Sequence, residues 1–187
     1  SHGGEYRRTI HHGDRPREEV AAALARSMAQ TDGLVLLHPF DDPLIVAGQA
    51  GAGLEALEQL ADLDEAVDLV ACPVGGGGLL GGLSLAFRYA SPETELFGVE
   101  PQGFDGMAQS LAAGDVMRVA GLASTICDAL QATQPGAAPF AAARFAGVRG
   151  LAMSDRAVTR AMVVAFEQLK LVLEPSGAVA LAALMSG

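Results

Sequence analysis

Ala66-Val67-Asp68-Leu69-Val70-Ala71-Cys72-Pro73-Val74 runs into Gly75-Gly76-Gly77-Gly78 and then into Leu79-Leu80-Gly81-Gly82. The apolar run predicts a buried strand, and the four glycines end it. Residues 79–88 read as a helix that Ser91-Pro92 stops. The glycines therefore stand on a strand-to-helix turn. Without side chains, such a turn lets backbone N–H groups close on an anion, and the helix N-terminus adds a favourable field. A tight turn with positive φ explains one or two glycines. Four in succession point to a phosphate cradle.

Outward from this turn the chain alternates helix and strand. Asp14 reads as a cap and Pro16 as the first turn of a helix over residues 16–30, with Val20, Leu24 and Met28 at helical spacing. A short strand is possible at residues 8–12. Leu34-Val35-Leu36-Leu37 reads as a buried strand after the Asp32-Gly33 turn. His38-Pro39-Phe40-Asp41-Asp42-Pro43 is a loop in which Asp42 caps and Pro43 opens a helix to about residue 61. Gly48, Gly51 and Gly53 weaken the first half of that helix and allow close approach of another backbone or a ligand. Beyond the central unit, residues 95–99 read as a strand and residues 107–113 as a short helix. Residues 114–138 are irregular, residues 139–146 helical and residues 147–153 strand-like. Ser154 caps a helix through residue 171 with Val158, Met162, Ala165 and Leu169 on one face. Glu174-Pro175-Ser176-Gly177 breaks it, and residues 178–185 form a last helix. This rhythm predicts an α/β fold of three layers, a mainly parallel sheet with flanking helices, in one domain over residues 1–187. Ligands in such sheets sit beyond the carboxyl ends of strands, where the loop after Leu37, the glycine turn and Glu100 all fall.

Composition narrows the function. Half of the 187 residues are apolar and the formal net charge is −10. An acidic surface argues against non-specific binding to nucleic acid or anionic membranes, so an anion site must be local and built from backbone. Cys72 and Cys127 lie far apart, which fits a reducing compartment. No apolar run reaches the roughly 18 residues of a membrane span, and residues 1–5 carry no signal-peptide core. The expectation is a cytoplasmic chain.

Each motif has a plainer reading beside the chemical one. Gly76, Gly78 and Gly81 fit G-x-G-x-x-G, with Glu100 near the spacing of a ribose-binding acid, so a Rossmann-type dinucleotide site competes with the phosphate cradle. A P-loop is excluded, because no Gly-Lys-Ser/Thr follows. His38 with Asp41 and Asp42 contains metal-type ligands, but a turn with a helix cap explains Asp42 and Pro43. Glu100 with Asp105 could hold a hard cation or line a solvated loop. Glu174-Pro175 reads as the start of a helix.

Taken together, these segments resemble the serine/threonine dehydratases, fold-type II enzymes that use pyridoxal 5′-phosphate (PLP). His38-Pro39-Phe40-Asp41-Asp42-Pro43 followed by Ala47-Gly48-Gln49 resembles their HPFDDP…AGQ segment. Pro73-Val74-Gly75-Gly76-Gly77-Gly78-Leu79 resembles their PVGGGGL loop. Gly98-Val99-Glu100-Pro101, residues 125–130 and residues 171–178 resemble their GVEP, TIADGL and VVEPSGA segments. Order and spacing agree over about residues 10–187. The resemblance implies part of the large cofactor domain of such an enzyme. It implies that Gly75, Gly76, Gly77, Gly78 and Leu79 bind the PLP phosphate through backbone N–H groups, and that Glu174 lies near the pyridine ring. Glu100, helped by the carbonyl of Phe104, would coordinate a monovalent or divalent cation, although the third metal position falls on Gly106. The implied reaction is the deamination of L-threonine to 2-oxobutanoate and ammonia, with serine dehydratase and racemase activities as close variants. The expected partners are a small amino-acid substrate and further copies of the chain, with no nucleic acid and no membrane.

The chain also departs from that pattern. The family's AGQGT reads Ala47-Gly48-Gln49-Ala50-Gly51, and its ADG reads Cys127-Asp128-Ala129. Its Schiff-base lysine in an S-F-K segment and its S-G-G-N segment have no counterpart in these residues, so the chain reads as a fragment of a longer protein, or as a degenerate product, with no catalytic residue of its own. Lys170 is the one lysine. It stands about 100° beyond Leu169, off the apolar face of its helix, and suits the helix dipole there. It is not expected to carry PLP. A non-catalytic phosphate-binding module is the remaining alternative.

Overall fold

The computed structural model describes residues 17–120 and 124–186. The chain divides into two units, residues 1–37 and 38–187. In the first, helix α1 spans Arg17–Asp32, with Val20, Leu24 and Met28 half-buried as the spacing predicts. The possible strand at residues 8–12 and the Asp14 cap lie outside the described residues. Residues 34–37, expected as a buried strand, form none. Val35 is 87% exposed and Leu37 72%. Apolar content favours a strand only when a ladder partner accepts its backbone, and the sheet of the described residues holds only β1, β2 and β3.

The second unit is built on three parallel strands in the order β1-β2-β3: Leu69–Pro73, Glu95–Pro101 and Arg149–Met153. Leu69 pairs with Glu95, and Phe97 with Arg149. Helices α2 (Pro43–Asp62), α3 (Gly78–Ala90), α4 (Gly106–Ala113), α5 (Ala137–Ala146), α6 (Asp155–Val164) and α7 (Pro175–Leu184) complete the unit. Strand alternation sorts the core into two faces. Cys72 and Leu96 join Leu80 and Phe87 of α3, Met107 of α4 and Phe140 of α5. Ala71, Val99 and Leu151 meet Val158 and Ala161 of α6 and Ala178, Val179 and Ala182 of α7. The result is the expected three layers. Burying each large side chain such as Leu80 or Phe87 contributes roughly 1.5–3 kcal/mol.

The caps follow the sequence. The Asp42 carboxylate accepts the Leu44 N–H at 2.7 Å, with Pro43 opening α2. Ser154 Oγ accepts the Ala157 N–H at 3.3 Å at the start of α6. The end of that helix differs from expectation. A π turn occupies Ala165–Leu169, and Lys170 follows in the left-handed region at φ 59°. The wider turn breaks the 3.6-residue period, so Val158, Ala161 and Ala165 are buried while Leu169 is 52% exposed. Lys170 Nζ donates to the Glu167 carbonyl at 2.7 Å and satisfies one group of the helix end.

The glycines of α2 and α3 divide by environment. A β-carbon on Gly82 would fall 2.5 Å from the backbone of Gln49 and Ala50, and one on Gly53 2.8 Å from the Ala86 side chain. Gly48 has open space. Alanine is the better helix former by about 1 kcal/mol at either site. Gly48→Ala should therefore stabilise the fold by up to that amount, whereas Gly82→Ala should destabilise it by about 1–3 kcal/mol through overpacking. Denaturant midpoints of the two variants check this. A stabilising Gly82→Ala would contradict the packing.

Candidate functional site

The glycine turn leaves the carboxyl end of β1 and opens α3. Gly77 caps that helix at φ +94°, a conformation that favours glycine. The Gly77 carbonyl accepts the Gly81 N–H at 2.8 Å, and the Gly76 carbonyl accepts the Gly136 N–H at 3.0 Å. Beside the turn lies a cleft of about 370 Å³. Its lining includes Phe40, Gly75, Gly76, Gly77, Gly78 and Leu79 from this side, and Ala129, Leu130, Glu174 and Ser176 from the other. The sequence-predicted residues Gly75–Gly78, Leu79 and Glu174 are thus brought to one cavity. Its size falls in the range of small-molecule sites, about 300–1,000 Å³.

The far wall is fastened by polar contacts. The Ser176 hydroxyl, buried at the start of α7, accepts the Ala129 N–H at 3.1 Å. Asp155, in the first turn of α6, accepts the Thr125 hydroxyl at 2.7 Å and the Ile126 N–H at 3.1 Å. The Thr125 hydroxyl in turn accepts the Cys127 N–H at 3.1 Å. This chain of bonds holds the loop that brings Ala129 and Leu130 to the cleft. Both cysteines are buried, and burial pushes the Cys72 thiol up to about 12 and raises Cys127 as well. Neither is a thiolate nucleophile.

Phe40 is among the cleft residues that sequence reasoning left without a role. Its ring lies on Gly76. A β-carbon on Gly76 would fall 2.3 Å from it, and one on Gly78 3.1 Å from the Phe40 Cβ. The one sequence signal was an aromatic residue fixed between His38-Pro39 and Asp41-Asp42.

Glu100 and Phe104 do not line the cleft. Glu100 is 1% exposed, and its two oxygens accept the Met107 N–H at 2.9 Å and the Ala108 N–H at 2.8 Å. It thereby caps α4 across space, a task that Asp105, which precedes the helix, leaves undone. The Asp105 carboxylate instead accepts Gln109 Nε2 at 3.1 Å, and Gly106 offers no side chain. These residues do not fit a cation site as they stand. His38 is likewise employed: its Nδ1 accepts the Asp41 N–H at 2.8 Å. Among the described residues no three His, Cys, Asp or Glu side chains gather for a metal, and no helix is long and apolar enough to cross a membrane.

Burial raises the Glu100 pKa to about 8; the two backbone N–H groups lower it less, and the Asp105 charge adds a further rise. A raised folded-state value means that stability is fully present below the unfolded value, near 4.5, and is lost as pH climbs through about 8. Glu100→Gln abolishes this titration while placing its NH₂ against one backbone donor. Urea titrations of wild type and Glu100→Gln between pH 5 and 9 should show the wild type losing ground to the variant as pH rises, by about 1.4 kcal/mol for each unit of raised pKa. A constant difference would contradict the buried-acid assignment.

The profile of the family described as "Pyridoxal-phosphate dependent enzyme" matches residues 1–187. Among similar proteins, the L-threonine ammonia-lyase of Thermotoga maritima is 36% identical over 169 residues, covering 90% of this chain and 41% of that protein. A serine racemase of Arabidopsis thaliana is 35% identical over 170 residues, covering 91% and 48% respectively. The solved structure of maize serine racemase superimposes with a TM-score of 0.78 at 34% identity, covering 91% of this chain and 51% of that one. The chain therefore spans about half the length of the relatives it matches.

Proposed function

Because the chain belongs to the pyridoxal-phosphate dependent enzyme family, we propose that its cleft holds the phosphate end of PLP in an enzyme acting on L-threonine or L-serine. The overall reaction we propose is threonine to 2-oxobutanoate and ammonia, in the cytoplasm and in a homo-oligomer. One observation carries the reading: the glycine turn, left-handed at Gly77 and opening α3, borders a cleft that Glu174 of the α7 N-terminus also lines. Threonine ammonia-lyase and serine racemase relatives support the substrate class.

PLP, when bound, supplies an electron sink for the Cα of an amino acid. The chain's own residues bind and orient. The N–H groups of the turn and of the first turn of α3 would hold the phosphate, since the helix field favours negative charge there. Leu130 and Leu79 give the cleft apolar wall, and Glu174 would bring a carboxylate to it from the other side. No lysine lines the cleft, since Lys170 lies elsewhere with its amine on the Glu167 carbonyl. Proton transfer at Cα is therefore not assigned to any residue of this chain. The dinucleotide reading is disfavoured, because it needs Glu100 free to accept a ribose hydroxyl, and both its oxygens are held by α4.

Titration of the full-length apoprotein with PLP, followed by assays for 2-oxo acid and D-serine, tests the proposal. Gly77→Val places a branched side chain at φ +94° and within 2.7 Å of the Met107 side chain. It should weaken PLP binding by about tenfold or more, equivalent to roughly 1.4 kcal/mol. Unchanged PLP affinity would remove the glycine turn from the site. In the same protein, borohydride reduction and peptide mapping should leave Lys170 unlabelled. Stoichiometric labelling of Lys170, with 2-oxo acid production lost in Lys170→Ala, would reverse the assignment.

A further inference from the structure

We infer that Phe40 is a positioning residue for the phosphate end of the ligand: its ring, clamped against Gly76, holds the turn in its anion-receptive shape, while its Cβ and backbone lie against Gly78. This rests on the glycine-turn reading above. The turn backbone is enclosed by neighbours. Phe40 approaches Gly76 and Gly78, while a β-carbon on Gly77 would fall 2.7 Å from Met107 Cε and 3.0 Å from Pro139 Cβ. Take away the ring and the turn keeps the Met107 and Pro139 contacts at Gly77 and the Phe40 Cβ and backbone at Gly78, but Gly76 loses its neighbour. Glycine has more backbone freedom to lose than any other residue, so a turn of four needs such contacts to stay in one conformation.

Phe40 is itself braced. The His38 ring meets it edge-on at 4.7 Å and 89°. His38 Nδ1 accepts the Asp41 N–H at 2.8 Å, which tightens the loop around Phe40. Asp41 Oδ1 accepts the Ala138 N–H at 2.9 Å, and a β-carbon on Gly136 would collide with Asp41. Gly136 in turn donates its N–H to the Gly76 carbonyl. Residues 136–138 thus tie the Phe40 loop and the glycine turn to one support, and Asp42 anchors the loop's other end as the cap of α2. Phe40 itself is only half-buried and lines the cleft. Fastenings on both flanks therefore serve a side chain that filling the core does not explain.

The test compares PLP with pyridoxal, which lacks the phosphate, on full-length apoprotein. Wild type should bind PLP far more tightly than pyridoxal. Phe40→Ala should weaken PLP by about tenfold and pyridoxal by less than about twofold, and Phe40→Tyr should restore the PLP preference. If Phe40→Ala does not fold, judged by its thermal transition, Phe40→Leu replaces it, with a smaller loss of the same selectivity. Wild type binding both compounds alike would overturn the glycine-turn reading itself. A wild-type preference that survives in the folded Phe40 variant, or equal losses for both compounds, would overturn the role of Phe40 alone. Failure of Phe40→Tyr to restore the preference would do the same.

Discussion

The structure depends on one steric constraint: the backbone between β1 and α3 runs where side chains cannot go. Gly75 faces the Ala129 carbonyl, Gly76 and Gly78 face Phe40, and Gly77 faces Met107 and Pro139. Each neighbour comes from a different part of the chain, so the turn is where the α2 entry loop, α4, α5 and the loop between α4 and α5 converge. The same absence of side chains that exposes amide groups also lets these elements close. Sheet, helices and cleft are organised around a strip about one backbone wide.

The sheet's central strand shows how position decides a residue's task. Alternation along β2 sends Leu96 and Glu100 to the α3–α5 side and Val99 to the α6–α7 side. A carboxylate on the buried face must find donors, and the amides of Met107 and Ala108 supply them. Glu100 belongs to the scaffold that orients α4. Since Met107 of α4 presses on Gly77, the buried acid and the turn are mechanically connected through one helix.

Much of this was legible in the sequence because it depends on local chemistry. Asp42-Pro43, Ser154 and the Gly-rich turn carry their signals within a few residues, and the strands of β1 and β2 are short apolar runs flanked by breakers. The predicted members, from Gly75 to Leu79 and Glu174, share a cleft because strand ends and helix starts meet there in a parallel sheet. What stayed hidden depends on distant partners. Residues 34–37 read as strand because apolar content does not say whether a neighbouring strand exists. The π turn at Ala165–Leu169 changes the phase of a helix without any glycine or proline to announce it. Glu100's cap lies seven and eight residues ahead in a different element, and Phe40's reach to Gly76 spans two elements.

Within the described residues the strand order β1-β2-β3 leaves β1 and β3 each bonded on one side only. Their outer N–H and C=O groups form a template for strand addition. Arg149, in an ion pair with Glu95 and over the Phe97 ring, places charge on the β2–β3 side. β1, from Leu69 to Pro73, carries no charged residue at all. Aggregation by edge-to-edge pairing should therefore begin at β1. Solubility of this region is a matter of what lies against that one strand, and a lysine introduced along it is the natural gatekeeper.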